Sequence, residues 1–240
     1  MLIGQDFDKI SFEFLGYDLL EPNVFLGDTI ITILSLILAY KTYKIYRKIR
    51  QPFFYLWAVF FVIFAFTFFT GGLGHLCYNY WSVEGRSISW FLGVVAVYFS
   101  EISMISLLKE RNQRILLSIS KVKLLVMVIG ISLMLLKMDL ANDVDKGMIL
   151  PTINTLMGFV FAFGILGYRF SKLICPDFKY LYISVIVLLP SLIFQGLKIN
   201  FHQWMDRNDV SHILLLICLV LYYLAIRGYA SQIVRKQQEY

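Results

Sequence analysis

Charge is scarce in this sequence. Only 16% of its 240 residues are Asp, Glu, Lys or Arg, against 59% hydrophobic, and mean hydropathy is +0.71. A soluble domain of this length could not hide that much apolar surface. The composition therefore excludes the soluble classes and predicts an integral, multi-pass membrane protein. Cysteine is nearly absent. Cys77, Cys175 and Cys218 share no Cys-x-x-Cys spacing, so neither a disulfide framework nor a zinc knuckle is expected. No basic segment followed by an apolar core opens the chain, so no cleavable signal peptide is expected. No low-complexity linker interrupts it, which predicts one transmembrane bundle over residues 1–240. Net charge is +6, but the basic residues fall into alternate loops and form no single patch. That distribution reports orientation in a membrane and argues against a nucleic-acid partner.

What the sequence does have is apolar runs of membrane-spanning length. Seven are expected, near Pro22–Tyr40, Phe53–Leu73, Ile88–Leu108, Val122–Leu136, Leu150–Tyr168, Tyr180–Leu197 and Val210–Ile226. The fourth is the weakest and needs Lys123 and Lys137 to snorkel at its ends. Basic residues follow the first, third, fifth and seventh runs, for example Lys41, Lys44 and Arg47, then Lys109, Arg111 and Arg114. Acidic or neutral segments precede the first run and follow the second, fourth and sixth, among them Asp139, Asp143 and Asp145. The fold class expected is therefore all-α: a seven-transmembrane helix bundle with the N-terminus outside and the C-terminus cytoplasmic. Residues 1–21 form a polar lead-in, with Asp6, Asp8, Glu13, Asp18 and Glu21 interleaved with aromatics, expected to lie at the interface. Residues 22–230 carry the spans, and residues 231–240 form a basic cytoplasmic tail.

The second run ends in Thr70-Gly71-Gly72-Leu73-Gly74-His75-Leu76-Cys77-Tyr78-Asn79-Tyr80-Trp81. Glycines there allow close helix approach. In a continuous helix Gly71, His75 and Asn79 share one face. Polar groups at this depth are expensive and mark a site by default. The expected topology brings Glu21, Asn23, Asp28, Asn154, Gln195, Asn208, Asp209 and His212 to the same outer layer. Asp209, three residues before His212, is positioned to orient its ring, and Asn208 or Asp209 is placed to cap the seventh helix. Tyr78, Tyr80 and Trp81 suit an interfacial belt. His202 is expected in solvent. Glu101, within the third run, either reaches the cytoplasmic interface or pairs inside the bundle.

Seven spans with polar residues at the ends of the second and seventh resemble the superfamily of alkaline ceramidases and adiponectin receptors, also called CREST. Gly72-Leu73-Gly74-His75-Leu76-Cys77-Tyr78-Asn79 resembles its second-span motif, and Asn208-Asp209-Val210-Ser211-His212 its seventh-span motif. Asp18-Leu19-Leu20-Glu21-Pro22-Asn23 is similar to the calcium-binding segment of alkaline ceramidases. The resemblance implies a zinc-dependent hydrolase of a lipid amide or ester. Its metal ligands would be His75 and His212, Asp28 or Asp209 would complete the shell or act in catalysis, and calcium would sit at Asp18, Glu21 and Asn23. Asn79, Asn208 and Gln195 would line the pocket, and a membrane lipid or another acyl-chain ligand would be the partner. Ligand histidines of the family stand here as Asn79 and Asn208. An alternative expectation is therefore a non-catalytic lipid-binding or sensory protein without the metal. A proton-coupled transporter that uses Glu101 is a third.

Overall fold

A computed structural model describes residues 7–138, 140 and 144–239. Asp6, Asp139 and Asp143 lie outside the described residues. The chain opens with a short antiparallel hairpin, β1 (Ser11–Phe14) and β2 (Tyr17–Leu20), in which Phe14 pairs with Tyr17 and Ser11 with Leu20. The polar lead-in is thus a hairpin turned at Leu15-Gly16, both at positive φ. Its alternation puts Phe12 and Phe14 on one face and Glu13 on the other.

Seven helices follow that are long and apolar enough to cross a membrane. They are α1 (Pro22–Ile49), α2 (Pro52–Leu76), α4 (Glu84–Ile105), α5 (Glu110–Lys137), a composite fifth span (Ile149–Leu173), a sixth (Pro176–Gly196) and α10 (Arg207–Gln238). A four-residue helix, α3 (Tyr78–Trp81), separates α2 from α4, and another, α6 (Val144–Gly147), precedes the fifth span. The fifth span joins α7 (Ile149–Phe159) to α8 (Gly167–Leu173) through a π-helical segment at Val160–Leu166. The sixth is a 3-10 turn at Pro176–Phe178 running into α9 (Lys179–Gly196). Pro22, Pro52 and Pro176 stand in the first turn of their helices, where the missing N–H is no loss and the fixed φ suits helix entry.

Several helices outrun the apolar stretches that announce them. α1 continues to Ile49 through Lys41, Lys44 and Arg47, and α10 continues to Gln238, so residues 231–238 extend a helix that the basic composition had marked as a tail. The fourth span begins twelve residues earlier than expected, at Glu110. Hydropathy locates the hydrocarbon thickness, whereas helices propagate past it into the polar layers as long as no breaker intervenes.

The interior is aromatic. Trp57 of α2 is fully buried, stacks on Phe163 of the π-helical segment with ring centroids 5.4 Å apart, and packs against Phe60, Phe61 and Tyr222. Phe53, Phe54, Phe178 and Tyr229 form a second aromatic knot at the end of the bundle opposite the hairpin. With lipid outside as apolar as the core, such packing holds helices together by van der Waals contact and ring geometry more than by burial from water. α5 is the peripheral member: its buried residues are Ser120, Ile131 and Met134.

Glycine fixes how closely α2 and α4 approach. A Cβ on Gly74 would stand 2.8 Å from the main-chain oxygen of Gly85. Backbone cannot move aside as a side chain can, so Gly74→Ala is expected to push the helices apart and destabilise the protein by about 1–3 kcal/mol. Thermal unfolding of the purified variant in detergent checks this; an unchanged midpoint would mean the contact is not made.

Candidate functional site

The polar residues gather at the hairpin end of the bundle. Glu21 links hairpin to α1 and sits there with φ 51°, in the left-handed region. A non-glycine residue adopts this at a cost of about 1 kcal/mol or more, so something must hold it. Its main chain donates to Ile10 O, and its Oε2 lies 3.1 Å from Lys9 Nζ, 2.8 Å from His75 Nδ1 and 3.2 Å from Arg86 Nη2. Lys9 and Arg86 also lie on the ring of Tyr78, at 4.6 and 4.9 Å from its centroid. One carboxylate therefore draws the lead-in, the end of α2 and the start of α4 together. Burial pushes the Glu21 carboxyl up, but the His75 hydrogen bond and the charges of His75, Lys9 and Arg86 outweigh it and hold it at about 2.

A second imidazole–carboxylate contact lies deeper. Asp28 of α1 is buried, and its Oδ1 is 3.1 Å from His212 Nε2 of α10. Glycines make room for it. A Cβ on Gly72 would fall 2.9 Å from Asp28 Cβ, and one on Gly27 would fall 2.7 Å from His212 Nδ1. The ring of Phe68 meets the His212 ring edge to face at 5.9 Å. His212 Nδ1 is buried without a hydrogen-bond partner among the described residues. Ser89 of α4 flanks the same space, since the Cβ position of Gly71 lies 3.7 Å from Ser89 Oγ and 3.9 Å from Asp28 Oδ2.

Of the remaining expected residues, Asn154 is buried in α7 with no partner for its amide among the described residues, and the others fall around these two contacts. Asp209 does not orient His212. Its carboxylate accepts from Asn23 Nδ2 at 2.8 Å and from the Asp206 N–H at 2.9 Å. Asp206 is the N-cap of α10, accepting from the N–H groups of Asn208 and Asp209 in a reciprocal capping box. The N-cap expected at Asn208 or Asp209 is thus Asp206, and Asp209 completes the box from the N3 position. Asn208 instead accepts from Gln195 Nε2 at 3.1 Å, and Gln195 also reaches Ser211 Oγ. Asn79 does not continue the face of His75. α2 stops at Leu76, and Asn79 sits exposed in α3, donating to the carbonyl and carboxylate of Asp18. Tyr80 likewise accepts from the Asp18 N–H through its hydroxyl. Asp18, Glu21 and Asn23 thus face three different sets of partners. His202 is exposed and its Nδ1 accepts from the Trp204 N–H.

Among the described residues, no three His, Cys, Asp or Glu side chains come together as a metal-holding group. His75 and His212 each face a carboxylate of their own, so the donor set as placed does not make up the three-ligand arrangement that the resemblance implies. Three members of the cluster carried no readable signal. Arg86 lay in a loop of balanced charge, Lys9 in an acidic lead-in, and Tyr78 among aromatics that looked like a belt. The tie between Arg86 and Glu21 is visible only once the hairpin end is assembled.

Seven apolar helices with polar residues collected at one end define a multi-pass membrane protein. The chain belongs to a family of unknown function, DUF6962, whose sequence pattern matches residues 24–231. No curated protein and no solved structure matches it.

Neutralising Glu21 tests the cluster. Its folded-state carboxyl lies below the ordinary 4.5, so its stabilisation is full above about pH 4.5 and lost as pH falls towards 2. Glu21→Gln is expected to cost about 3 kcal/mol near neutral pH. Melting curves of wild type and variant should converge as the pH approaches 2; parallel curves would show that Glu21 is not held by these cations.

Proposed function

We propose that this protein binds a membrane lipid by its polar headgroup at the hairpin end of the bundle and does so without chemistry, as a lipid-binding or sensory member of its family. The observation that carries the reading is His212. One ring nitrogen is held by Asp28, and the other is buried with no partner among the described residues. An imidazole so oriented offers one hydrogen bond, as donor or acceptor, to a group that enters between α1, α2 and α10. Lipid is the solute at hand, because its acyl chains can stay among the spans while its headgroup reaches the polar layer. The alternation of basic loops favours the outer side of the membrane for this layer.

The commitments of the acids favour binding over catalysis. Glu21 faces three cationic or imidazole donors, Asp28 faces His212, and Asp209 accepts from Asn23 and from the start of α10. A hydrolase needs at least one carboxylate or imidazole free to take a proton from water. One feature favours the hydrolase reading all the same: a carboxylate-oriented imidazole is also the arrangement of a general base, with Asp28 as orienter and His212 as base.

Purification in a mild detergent followed by lipid extraction and mass spectrometry separates the readings. The expected result is one lipid class enriched at about one molecule per chain, lost in His212→Ala while the variant still elutes as a folded species. Unselective lipid in both proteins would end the binding proposal. Release of fatty acid from lipid amides or esters, abolished by His212→Ala and accompanied by one zinc per chain, would replace it with the hydrolase.

A further inference from the structure

Two ionisable residues of the bundle interior answer each other. Glu101 of α4 is buried and ion-paired through its Oε1 to Lys123 Nζ of α5. Lys123 thus turns inward and does not snorkel at a helix end as its sequence position implied. The cations at the end of α1 away from the hairpin have no such partner. From Thr29 to Val83 the sequence holds no acid, and within that stretch stand Lys41, Lys44, Arg47, Lys48 and Arg50. Among the described residues none of the five forms an ion pair. Lys44, Arg47 and Arg50 are exposed. Lys44 Nζ lies 4.7 Å from the ring centroid of Tyr40, and Arg50 Cζ lies 5.8 Å from that of Tyr46.

Beside these cations a groove runs between α1 and α2. The two helices approach closely, and the Thr32 hydroxyl lies 3.2 Å from Ala65 O across their contact. Further from the hairpin, Ala39 and Ala58, each 5% exposed, form a low floor. Tyr40, Tyr43 and Tyr55 are exposed and stand along it as walls. Small floor and tall walls leave a volume of about 400 Å3 that opens outward between the helices. Tyrosine hydroxyls are the only polar side-chain groups in the lining. The apolar end of the groove is at Leu36, and from there to Tyr43 is roughly 10 Å along the helix axis. The other end meets the cations. Lys44 follows Tyr40 by four residues and Arg47 follows Tyr43 by four, so both continue the face of α1 that lines the groove.

We propose that this groove seats one acyl chain of an anionic phospholipid, with the phosphate held by Lys44 and Arg47. Charge selects the occupant. Cations without carboxylate partners at one end of an apolar groove match a molecule that is anionic at one end and hydrocarbon at the other. A zwitterionic lipid supplies the same hydrocarbon but adds an ammonium where cations already crowd. A second copy of the protein is a poorer match. Paired about a two-fold axis along the membrane normal, the two copies would bring their basic rims together at one level. The alanine floor is what separates this seat from the general lipid surface: it lets the part of the acyl chain next to the headgroup sink between two helices. The groove lies at the opposite end of α1 from Asp28 and His212, so it is independent of the headgroup contact proposed there.

Native mass spectrometry of the full-length protein tests this, with the protein released from micelles that contain equal amounts of phosphatidylglycerol and phosphatidylcholine of the same acyl chains. The expected result is a preference for phosphatidylglycerol, retained at about one molecule per protein. Lys44→Gln and Arg47→Gln should each lower that preference about fivefold. Ala58→Leu, which fills the floor and leaves every charge in place, should lower it as well. Tyr40→Ala, at an exposed wall position, covers the case in which Ala58→Leu does not fold. Joint replacement Arg235→Gln and Lys236→Gln removes two charges from the same end of the bundle but from α10, and should leave the preference unchanged. The same pattern is expected in a His212→Ala background. Equal retention of the two lipids would overturn the proposal, and so would a comparable loss on replacing Arg235 and Lys236, or in His212→Ala alone. Retention indifferent to both Ala58→Leu and Tyr40→Ala would overturn the groove as its seat, as would a dimer in place of bound lipid that is lost in Ala58→Leu.

Discussion

The arrangement at the hairpin end depends on one carboxylate oxygen. Glu21 Oε2 faces Lys9, His75 and Arg86, which come from the lead-in, α2 and α4. In water such contacts would contribute little, because each charge is nearly as well solvated alone. Here Glu21, His75 and Arg86 are largely covered, and separating them strands charges where water cannot follow. The left-handed backbone at Glu21 follows from the same constraint. The hairpin must turn sharply into α1 to put this side chain within reach of His75, and the three contacts offset the strain.

Close glycine packing is what lets the second imidazole pair exist. α1 and α2 approach at Gly72, and α1 and α10 approach at Gly27. Without side chains at those points, Asp28 and His212 meet across the interface, roughly two turns into α1 and on the second turn of α10. A bundle with larger residues there would hold the helices too far apart for a 3.1 Å contact. The glycines in the stretch from Thr70 to Trp81 thus serve the neighbouring helices more than their own. Of the three, Gly72 meets Asp28, Gly74 meets Gly85, and Gly71 borders the space between Ser89 and Asp28.

This division explains what was legible in the sequence. Span number follows from hydropathy, a property of each segment alone, and all seven helices stand where apolar runs occur. The convergence of His75, Asp28 and His212 at one end followed from counting spans, because an odd or even number of crossings decides which ends meet. Pairings did not follow, since they depend on distances of a few ångströms between helices remote in sequence. His212 was matched to Asp209 on spacing along its own helix, but Asp28 across the interface holds it. Asn79 was placed with His75 on the assumption of one continuous helix, which ends at Leu76. The hairpin escaped because two four-residue strands show too little alternation to stand out from an amphipathic lead-in.

The two polar groups answer to different physics. At the hairpin end, acids outnumber their room to act, and their partners are fixed by segments that could be solvated if released. Inside the bundle, Glu101 and Lys123 have no such escape, because α7 lies over them. Had the pair served only to hold α5, replacing it with apolar side chains of similar volume would stabilise the bundle or leave it unchanged. A buried amide beside it would then add cost with no return. Glu101, Lys123 and Asn154 come from three different helices, and Glu101 and Asn154 keep atoms without a partner among the described residues.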